Sequence, residues 1–380
     1  SSLVGSEMCI RDRRRKMGKT IGIIGGGQLG MMLAEEIRAL GGRTVCLDPS
    51  PDAPAFAVAD ECVVGAFDDE QALERLCAAA DTVTYEFENV PGSLLRRLES
   101  RYDIPQGIRP LLDSQDRLRE KNNARDHGLR TPRYAAADDE ASLREAIRRI
   151  GFPAVLKTRT LGYDGHGQAV LRSEADVPGA LPLLAVPCIL EEFVPFDYEA
   201  SVVLVGDERR IVRFPVGRNI HRDGILDLSI VPPDADRQVI GEMVARSEAF
   251  MRGCGYRGIL AIEYFVRDGA FYFNEMAPRP HNSGHYTIEG CTTNQFRELA
   301  RYLLGQPLEE PRLLGPTVMK NVLGRDLEAA RQLAAEGLPG VHVHLYGKRE
   351  ARPLRKMGHV TFTDTTAEAY AERWASRFVR

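Results

Sequence analysis

The sequence predicts a mixed chain: an α/β unit, then a longer α+β unit, then a smaller terminal segment. Three observations carry this reading. At 380 residues the chain exceeds one ordinary core, so two to three domains are expected. Short apolar runs alternate with helical segments over the first hundred residues, the pattern of a parallel sheet with helices on its faces. From Ala154 onward strands outnumber helices.

The first unit is expected over residues 20–112. Thr20–Ile24 is a short apolar strand, and Gly25-Gly26-Gly27-Gln28-Leu29-Gly30 turns it into a helix that should start near Met31. Arg43–Asp48, Glu61–Val64 and residues 82–86 are the next strands, with a helix over 69–80 between the last two. The second unit is expected over 113–315. Ser114 should cap a polar helix that Gly128 ends. Strands follow at 154–157, Gln168–Leu171, Cys188–Glu192, 199–205 and 210–215, and a helix at about 237–252. Two strands, 260–267 and 270–275, close this region. The Asp268-Gly269 pair between them is a hairpin signal that sets Glu263 and Glu275 on paired antiparallel strands. Residues 316–380 should form a small third domain with strands near 317–322, Val341–Leu345 and 359–363. Residues 1–19, with a basic run at 11–16 and no apolar stretch long enough for a signal peptide, are expected to be a disordered extension outside the fold.

Composition narrows the function classes. A hydrophobic share of 43% with 27% charged residues fits an ordinary soluble globular protein. A formal charge of −4 argues against nucleic-acid or membrane partners, and no apolar run approaches the ~18–20 residues of a membrane span. The seven cysteines are scattered without a C-x-x-C pair, which points to a reducing, cytoplasmic setting rather than a disulfide framework or a zinc site.

The most informative stretch runs from Lys157 to Gln168, with Gly162, Gly165 and Gly167 in its loop. A lysine ending an apolar strand neutralises phosphate as a point charge. Glycines let backbone N–H groups approach phosphate oxygens. Glu263 and Glu275 sit within apolar strands, where a carboxylate is costly without a cation. Mg²⁺, which takes oxygen ligands and keeps substrate phosphates as partners, is the expected one. Glu191-Glu192 end another strand and Glu199 begins the next, positions suited to an adenine edge and a ribose. The loop Arg279-Pro-His281-Asn-Ser283-Gly-His285 follows the second acid and suits an anionic, polyhydroxylated substrate. Lys348, Arg352, Arg355 and Lys356 could clamp a phosphate monoester. One rival motif is present: Gly25-x-Gly27-x-x-Gly30 with Asp48 downstream matches a dinucleotide fingerprint and would suit an NAD-dependent oxidoreductase.

Taken together, these stretches resemble the ATP-grasp fold and, more closely, the N5-carboxyaminoimidazole ribonucleotide synthase family of purine biosynthesis. The carrying segments are 24–30, 84–89 (Thr-Tyr-Glu-Phe-Glu-Asn), 162–168, 221–225, 274–285 and 355–359, so the resemblance spans about residues 20–365. It implies an ATP-grasp domain preceded by a Rossmann-like pre-ATP-grasp domain and followed by a small C-terminal one. It also implies a ligase forming a C–N bond, with ATP, bicarbonate and 5-aminoimidazole ribonucleotide as substrates, and a homodimer. By resemblance, ATP would meet Arg117, Lys157, Gly162, Tyr163, Asp164, Gly165, His166, Gly167, Gln168, Glu191, Glu192, Phe193, Val194, Glu199, His221, Asn274 and Glu275. Mg²⁺ would sit on Glu263 and Glu275. The aminoimidazole ribonucleotide would meet Gln28, Glu86, Tyr163, Asp164, Arg279, His281, Lys348 and Arg355, with Asp164, Arg279 and Lys348 closest to the chemistry. His166 departs from the Arg or Lys usual there, so either a neighbouring cation substitutes or one anion contact is weaker. Carboxyphosphate, the expected intermediate, hydrolyses readily, so a lid at about 154–188 should exclude water.

Overall fold

A computed structural model describes residues 18–162 and 167–378. The basic run and most of the expected tail lie outside these residues. Lys19, assigned to the tail, is instead tied down by donating to the Leu303 carbonyl at 2.7 Å.

Three sheets follow one another along the chain. The first is parallel, in the order β3-β2-β1-β4, from Thr20–Ile24 (β1), Arg43–Asp48 (β2), Glu61–Val64 (β3) and Thr82–Tyr85 (β4). Helix α1 (Gln28–Ala39) starts three residues before Met31, with Gly27 at its cap, and α2 is Glu70–Ala79. Helices Gly92–Glu99 (α3) and Arg109–Ser114 (α4) lead to α5 (Arg117–Asp126). Asp116, not Ser114, caps α5, accepting from the Leu118 and Arg119 amides at 2.9 and 3.1 Å. Ser114 belongs to α4, and its hydroxyl turns back to the Leu111 carbonyl.

The second sheet, order β5-β8-β6-β7, is antiparallel: Tyr134–Ala137 (β5), Ala154–Thr158 (β6), Gln168–Leu171 (β7) and Cys188–Glu192 (β8). Helix α6 (Glu140–Ile150) covers it through Leu143, Ala146 and Ile147. The expected lid segment therefore belongs to a wider sheet that begins at Tyr134.

The third sheet has nine strands: Tyr198–Gly206 (β9), Ile211–Arg213 (β10), Gly217–Arg222 (β11), Ile225–Val231 (β12), Gly258–Arg267 (β13), Ala270–Ala277 (β14), Thr317–Leu323 (β15), Val341–Leu345 (β16) and Lys356–Phe362 (β17). The path is β14-β13-β9-β11-β12-β15-β17-β16, with β10 on β9, so the C-terminal strands continue the sheet begun by β9. Lys320 of β15 helps hold that junction. Its buried ammonium donates to Asp227 of β12 at 2.7 Å and lies 3.4 Å from Asp326.

One core joins the first sheet to the third. Leu33 and Ile37 of α1 pack with Phe296 and Leu299 of α8 (Gln295–Leu304), between Ile21 and Ile23 on one side and Val203, Val205 and Ile259 on the other. Each such fully buried side chain contributes about 1.5–3 kcal/mol. Helix α7 (Arg237–Gly253) seals the opposite face of β9 and β13 with Met243, Phe250 and Met251.

Candidate active site

Glu263 and Glu275 stand directly opposite each other across β13 and β14. The register then shifts: Tyr264 pairs with Phe273, so Asn274 is an extra, unpaired residue on β14. This bulge is what sorts the strand's side chains. Phe273 and Met276 both enter the core against α7, while Glu275 turns to the other face to meet Glu263.

Because β14 is the sheet's edge, its backbone needs partners, and α5 provides them. Lys121 donates to the Asn274 carbonyl at 2.8 Å, and Glu120 accepts from the Met276 amide at 2.6 Å. Arg117, one turn earlier, bonds Glu275 at 3.0 Å and reaches the Gly162 carbonyl at 3.5 Å. One helix face thus grips β14, which carries Glu275, and the start of the glycine loop.

The electrostatics of the two acids diverge. Burial and the neighbouring Glu275 charge push Glu263 up to about 8. Burial acts the same way on Glu275, yet Arg117 overrides it and holds that carboxylate down at about 2. Like charges directly opposite across a strand pair destabilise it, and a cation between them removes the conflict. No group of three or more His, Cys, Asp or Glu side chains suited to a metal occurs among the described residues. Two hard carboxylates fit an ion that completes its shell with phosphate oxygens and water, as Mg²⁺ does.

Lys157 sits on β6 and donates to Glu191 Oε2 of β8 at 3.0 Å, and Lys121 approaches the same oxygen at 3.3 Å. Burial opposes the Glu191 charge, but the two ammonium groups win and keep its pKa below the usual range. Burial draws Lys121 below the ordinary lysine value while Glu191 supports its charge. The Glu191 carboxylate therefore anchors lysines rather than reaching outward to an adenine or ribose. Glu192, the next residue, points the other way and grips Arg133 at 3.0 and 3.2 Å. Phe193 is exposed and Val194 half-buried beyond the strand end. Gly167 has φ +72°, and a Cβ there would lie 2.7 Å from Thr158 Oγ1. Gln168 pairs with Lys157 across β6 and β7. Tyr163, Asp164, Gly165 and His166 lie outside the described residues.

Glu199 of β9 and His221 of β11 are 2.5 Å apart. Burial would lower the histidine, but the Glu199 hydrogen bond and the charges of Glu263 and Glu275 raise it to about 9, so it is a cation at neutral pH.

A second group lies beside the first. His281 Nε2 is 3.6 Å from Glu263, and burial with the nearby Arg279 guanidinium drops the imidazole to about 3, hence neutral. Arg279 pairs with Glu88 at 3.1 Å. Glu86 follows β4 and accepts from the Gly27 amide at 2.8 Å, with burial lifting it to about 7. Gln28 is next to that amide and opens α1. Lys348 donates to the Lys356 carbonyl at 2.9 Å, and burial plus the charges of Arg355 and Lys356 lowers it to about 8. Arg355 is exposed, bonds the Glu350 carbonyl, and borders a cavity of about 610 Å³ with Glu350, Arg352, Pro353 and Leu354. His285, the second histidine of the 279–285 loop, faces elsewhere: it is fully buried and packed on His359 at 4.7 Å.

The glycine-rich first turn does not present a free dinucleotide site. Asp48 accepts from the Gly26 and Ser50 amides at 2.9 and 2.8 Å, and Glu86 takes the Gly27 amide. Gly25, at φ +111°, leaves no room for a Cβ, which would lie 2.7 Å from Glu86 Cγ. Carboxylates of the chain itself occupy the amides that a pyrophosphate would need.

Sequence reasoning missed Glu120, Lys121 and Glu88, and singled out Lys356 only as part of a candidate phosphate clamp. For the first two a signal existed, since Arg117, Glu120 and Lys121 share a helix face at i, i+3 and i+4. Lys356 begins β17, and its charge acts on Glu263, His281 and Lys348.

Comparison with known proteins supplies independent findings. The chain matches the ribonucleotide synthetase preATP-grasp domain over residues 17–110, the ATP-grasp domain over 122–296, and the phosphoribosylaminoimidazole carboxylase C-terminal domain over 317–373. It is 40% identical over 372 residues to the N5-carboxyaminoimidazole ribonucleotide synthase of Staphylococcus haemolyticus, covering 95% of this chain and 98% of that one. The Staphylococcus aureus N5-carboxyaminoimidazole synthetase complexed with ADP superposes with a TM-score of 0.91 at 36% identity, over 96% of this chain and 98% of that one. The Aspergillus clavatus enzyme in complex with ADP and 5-aminoimidazole ribonucleotide gives a TM-score of 0.86 at 28% identity, over 94% and 97%.

Proposed function

The chain belongs to the N5-carboxyaminoimidazole ribonucleotide synthase family, and from that membership we propose that it carboxylates 5-aminoimidazole ribonucleotide at the expense of ATP, using bicarbonate as the carbon source. The observation that carries this reading is the pair Glu263 and Glu275, opposed across two strands beneath Arg117 and flanked by the His221 cation.

In this reading a bicarbonate oxygen attacks the γ-phosphorus, the β–γ bridging bond breaks, and ADP leaves as carboxyphosphate forms. The exocyclic amine then attacks the carboxyl carbon, inorganic phosphate departs, and the nitrogen loses a proton. Phosphoryl transfer needs alignment and charge neutralisation more than covalent help. Lys157, Arg117 and His221 supply cations on the triphosphate side, and Glu199 holds the His221 imidazole. Mg²⁺ on Glu263 and Glu275 would neutralise phosphate charge when bound. Arg279, Lys348 and Arg355 supply cations for the ribonucleotide phosphate. Neutral His281, Glu86 and Gln28 contribute hydrogen-bonding groups between the two ends. The resemblance gives Asp164 the part of positioning the amine or taking its proton, with Tyr163 beside it. Juxtaposing the reactants is the larger lever, since it can remove about 7–11 kcal/mol of barrier.

A homodimer and a cytoplasmic location belong to the same reading. No helix among the described residues is long and apolar enough to cross a membrane. The test measures ADP release with and without aminoimidazole ribonucleotide and bicarbonate, and follows label from bicarbonate into product. Release that needs both, with label retained, is the expected result. Release driven by formate or an amino acid instead would move the chain to another carboxylate–amine ligation.

A further inference from the structure

Three charged side chains meet inside the protein where α5, β6 and β8 converge. Lys157 Nζ and Lys121 Nζ lie 3.0 and 3.3 Å from the same oxygen, Glu191 Oε2. The other oxygen, Oε1, is buried with no hydrogen-bond partner among the described residues. Lys121 is fully buried, Glu191 is 2% exposed, and only the Lys157 side chain retains some access, at 11%. Lys121 is fixed on its far side by the Asn274 carbonyl and stands 5.6 Å over the Phe273 ring.

We propose that Lys121 is a positioning residue for the nucleotide phosphates: it neutralises Glu191 so that Glu191 can orient Lys157 without cancelling its charge. The inference rests on the reading of Lys157 as a phosphate-binding cation. A single carboxylate holding a single ammonium is a neutral pair, and a neutral pair attracts a polyphosphate weakly. Two ammonium groups on one carboxylate leave a net charge of +1, and the exposed member is the one that can face a ligand. Arg117 adds to the positive field, while Glu120 on the same helix turn is pushed by burial toward its neutral form. Lys121 also connects the two sheets that enclose the nucleotide. One ammonium touches Asn274 on β14 and Glu191 on the sheet that carries the glycine loop.

The sign of a double-mutant cycle separates this role from a merely structural one. ADP affinity, measured calorimetrically in the presence of Mg²⁺, is the readout. Lys121→Met should weaken ADP about tenfold, because Glu191 then cancels Lys157 outright. Adding Glu191→Gln should restore affinity to within about twofold of the parent, since Lys157 again carries an uncancelled charge. A structural brace predicts the opposite, with the double variant as weak as the single one or weaker. That result, or unchanged affinity in Lys121→Met, overturns the proposal. Should Lys121→Met fail to fold, Lys121→Gln and Lys121→Arg decide instead: the first removes the charge and should weaken ADP about tenfold, the second keeps it and should bind within about twofold of the parent, and equal affinity in the two overturns the inference. Lys157→Met is the control for the underlying reading. If that variant binds ADP like the parent, the assignment of Lys157 fails, whatever the cycle gives.

Discussion

Replacing Glu275 with glutamine tests the centre of the site while keeping its shape. The carboxylate accepts a bond from Arg117 at 3.0 Å and faces Glu263 across the strand pair. Burial works against its charge, but Arg117 holds its pKa at about 2, so it is ionised throughout the working range. Glutamine keeps the size and one carbonyl oxygen but removes the charge. Each charge-assisted contact contributes on the order of 1.5–3 kcal/mol, and losing one to Arg117 and one to the metal amounts to roughly 3–6 kcal/mol. That corresponds to a fall in kcat/KM of roughly 10²–10⁴. Stability should move little, because the change also removes the repulsion from Glu263 and Glu120. The assay is ADP release with saturating aminoimidazole ribonucleotide and bicarbonate, repeated over a range of Mg²⁺, with chemical denaturation run in parallel. Turnover close to the parent at every Mg²⁺ concentration, in a folded variant, would refute the metal assignment.

Lys348, lowered to about 8 by burial and its cationic neighbours, loses its charge as pH rises through that value. KM for the ribonucleotide should therefore be flat below about pH 7 and climb roughly tenfold toward pH 9; in Lys348→Arg, charged throughout, the climb should disappear, and a level parent profile would contradict the phosphate role. Because chain carboxylates occupy the amides of Gly26 and Gly27, NADH should cause no saturable fluorescence change; micromolar binding would revive the dinucleotide reading. Lys320→Met removes the buried cation that Asp227 and Asp326 share, although Asp227 keeps Arg222 at 2.9 Å, and should cost about 3–5 kcal/mol in denaturant titrations at pH 7, with a loss below about 1 kcal/mol counting against that account.

Much of the first sheet and of the acid hairpin was legible because local chemistry decides them. β1, β2, β3, β7, β8 and β16 have the predicted bounds. β-branched runs between turn residues leave few alternatives. Asp268 and Gly269 take the positive φ values, 50° and 72°, that a tight hairpin needs and so pair Arg267 with Ala270, while the bulge at Asn274 is what brings Glu275 opposite Glu263. The same signal lay unread at Asp223-Gly224, with φ of 53° and 74° between β11 and β12. There the polar ends of the strands, Arg218, His221 and Arg222, mask the alternation. β5 is harder to find in principle. Tyr-Ala-Ala-Ala has weak strand preference, and it is extended because β8 pairs with it.

The charges of the site divide along the same line. A motif read along the chain locates side chains that approach a ligand, because each lies in a glycine loop or at a strand end. It does not reveal which partner each charge already has. Glu191 and Glu192 are adjacent and look equivalent in sequence, yet strand alternation sends one inward to two lysines and the other outward to Arg133. The edge position of β14 has a similar effect. An edge strand with a bulge must find hydrogen-bond partners outside its sheet, and those partners come from α5, about 150 residues earlier in the chain. Glu120 and Lys121 therefore look like ordinary surface charges until β14 is in place, and then become the side chains that fix that strand. The groups most legible in the sequence are those expected to meet ligand directly, whereas the groups that set their charge and register emerge only from tertiary pairing.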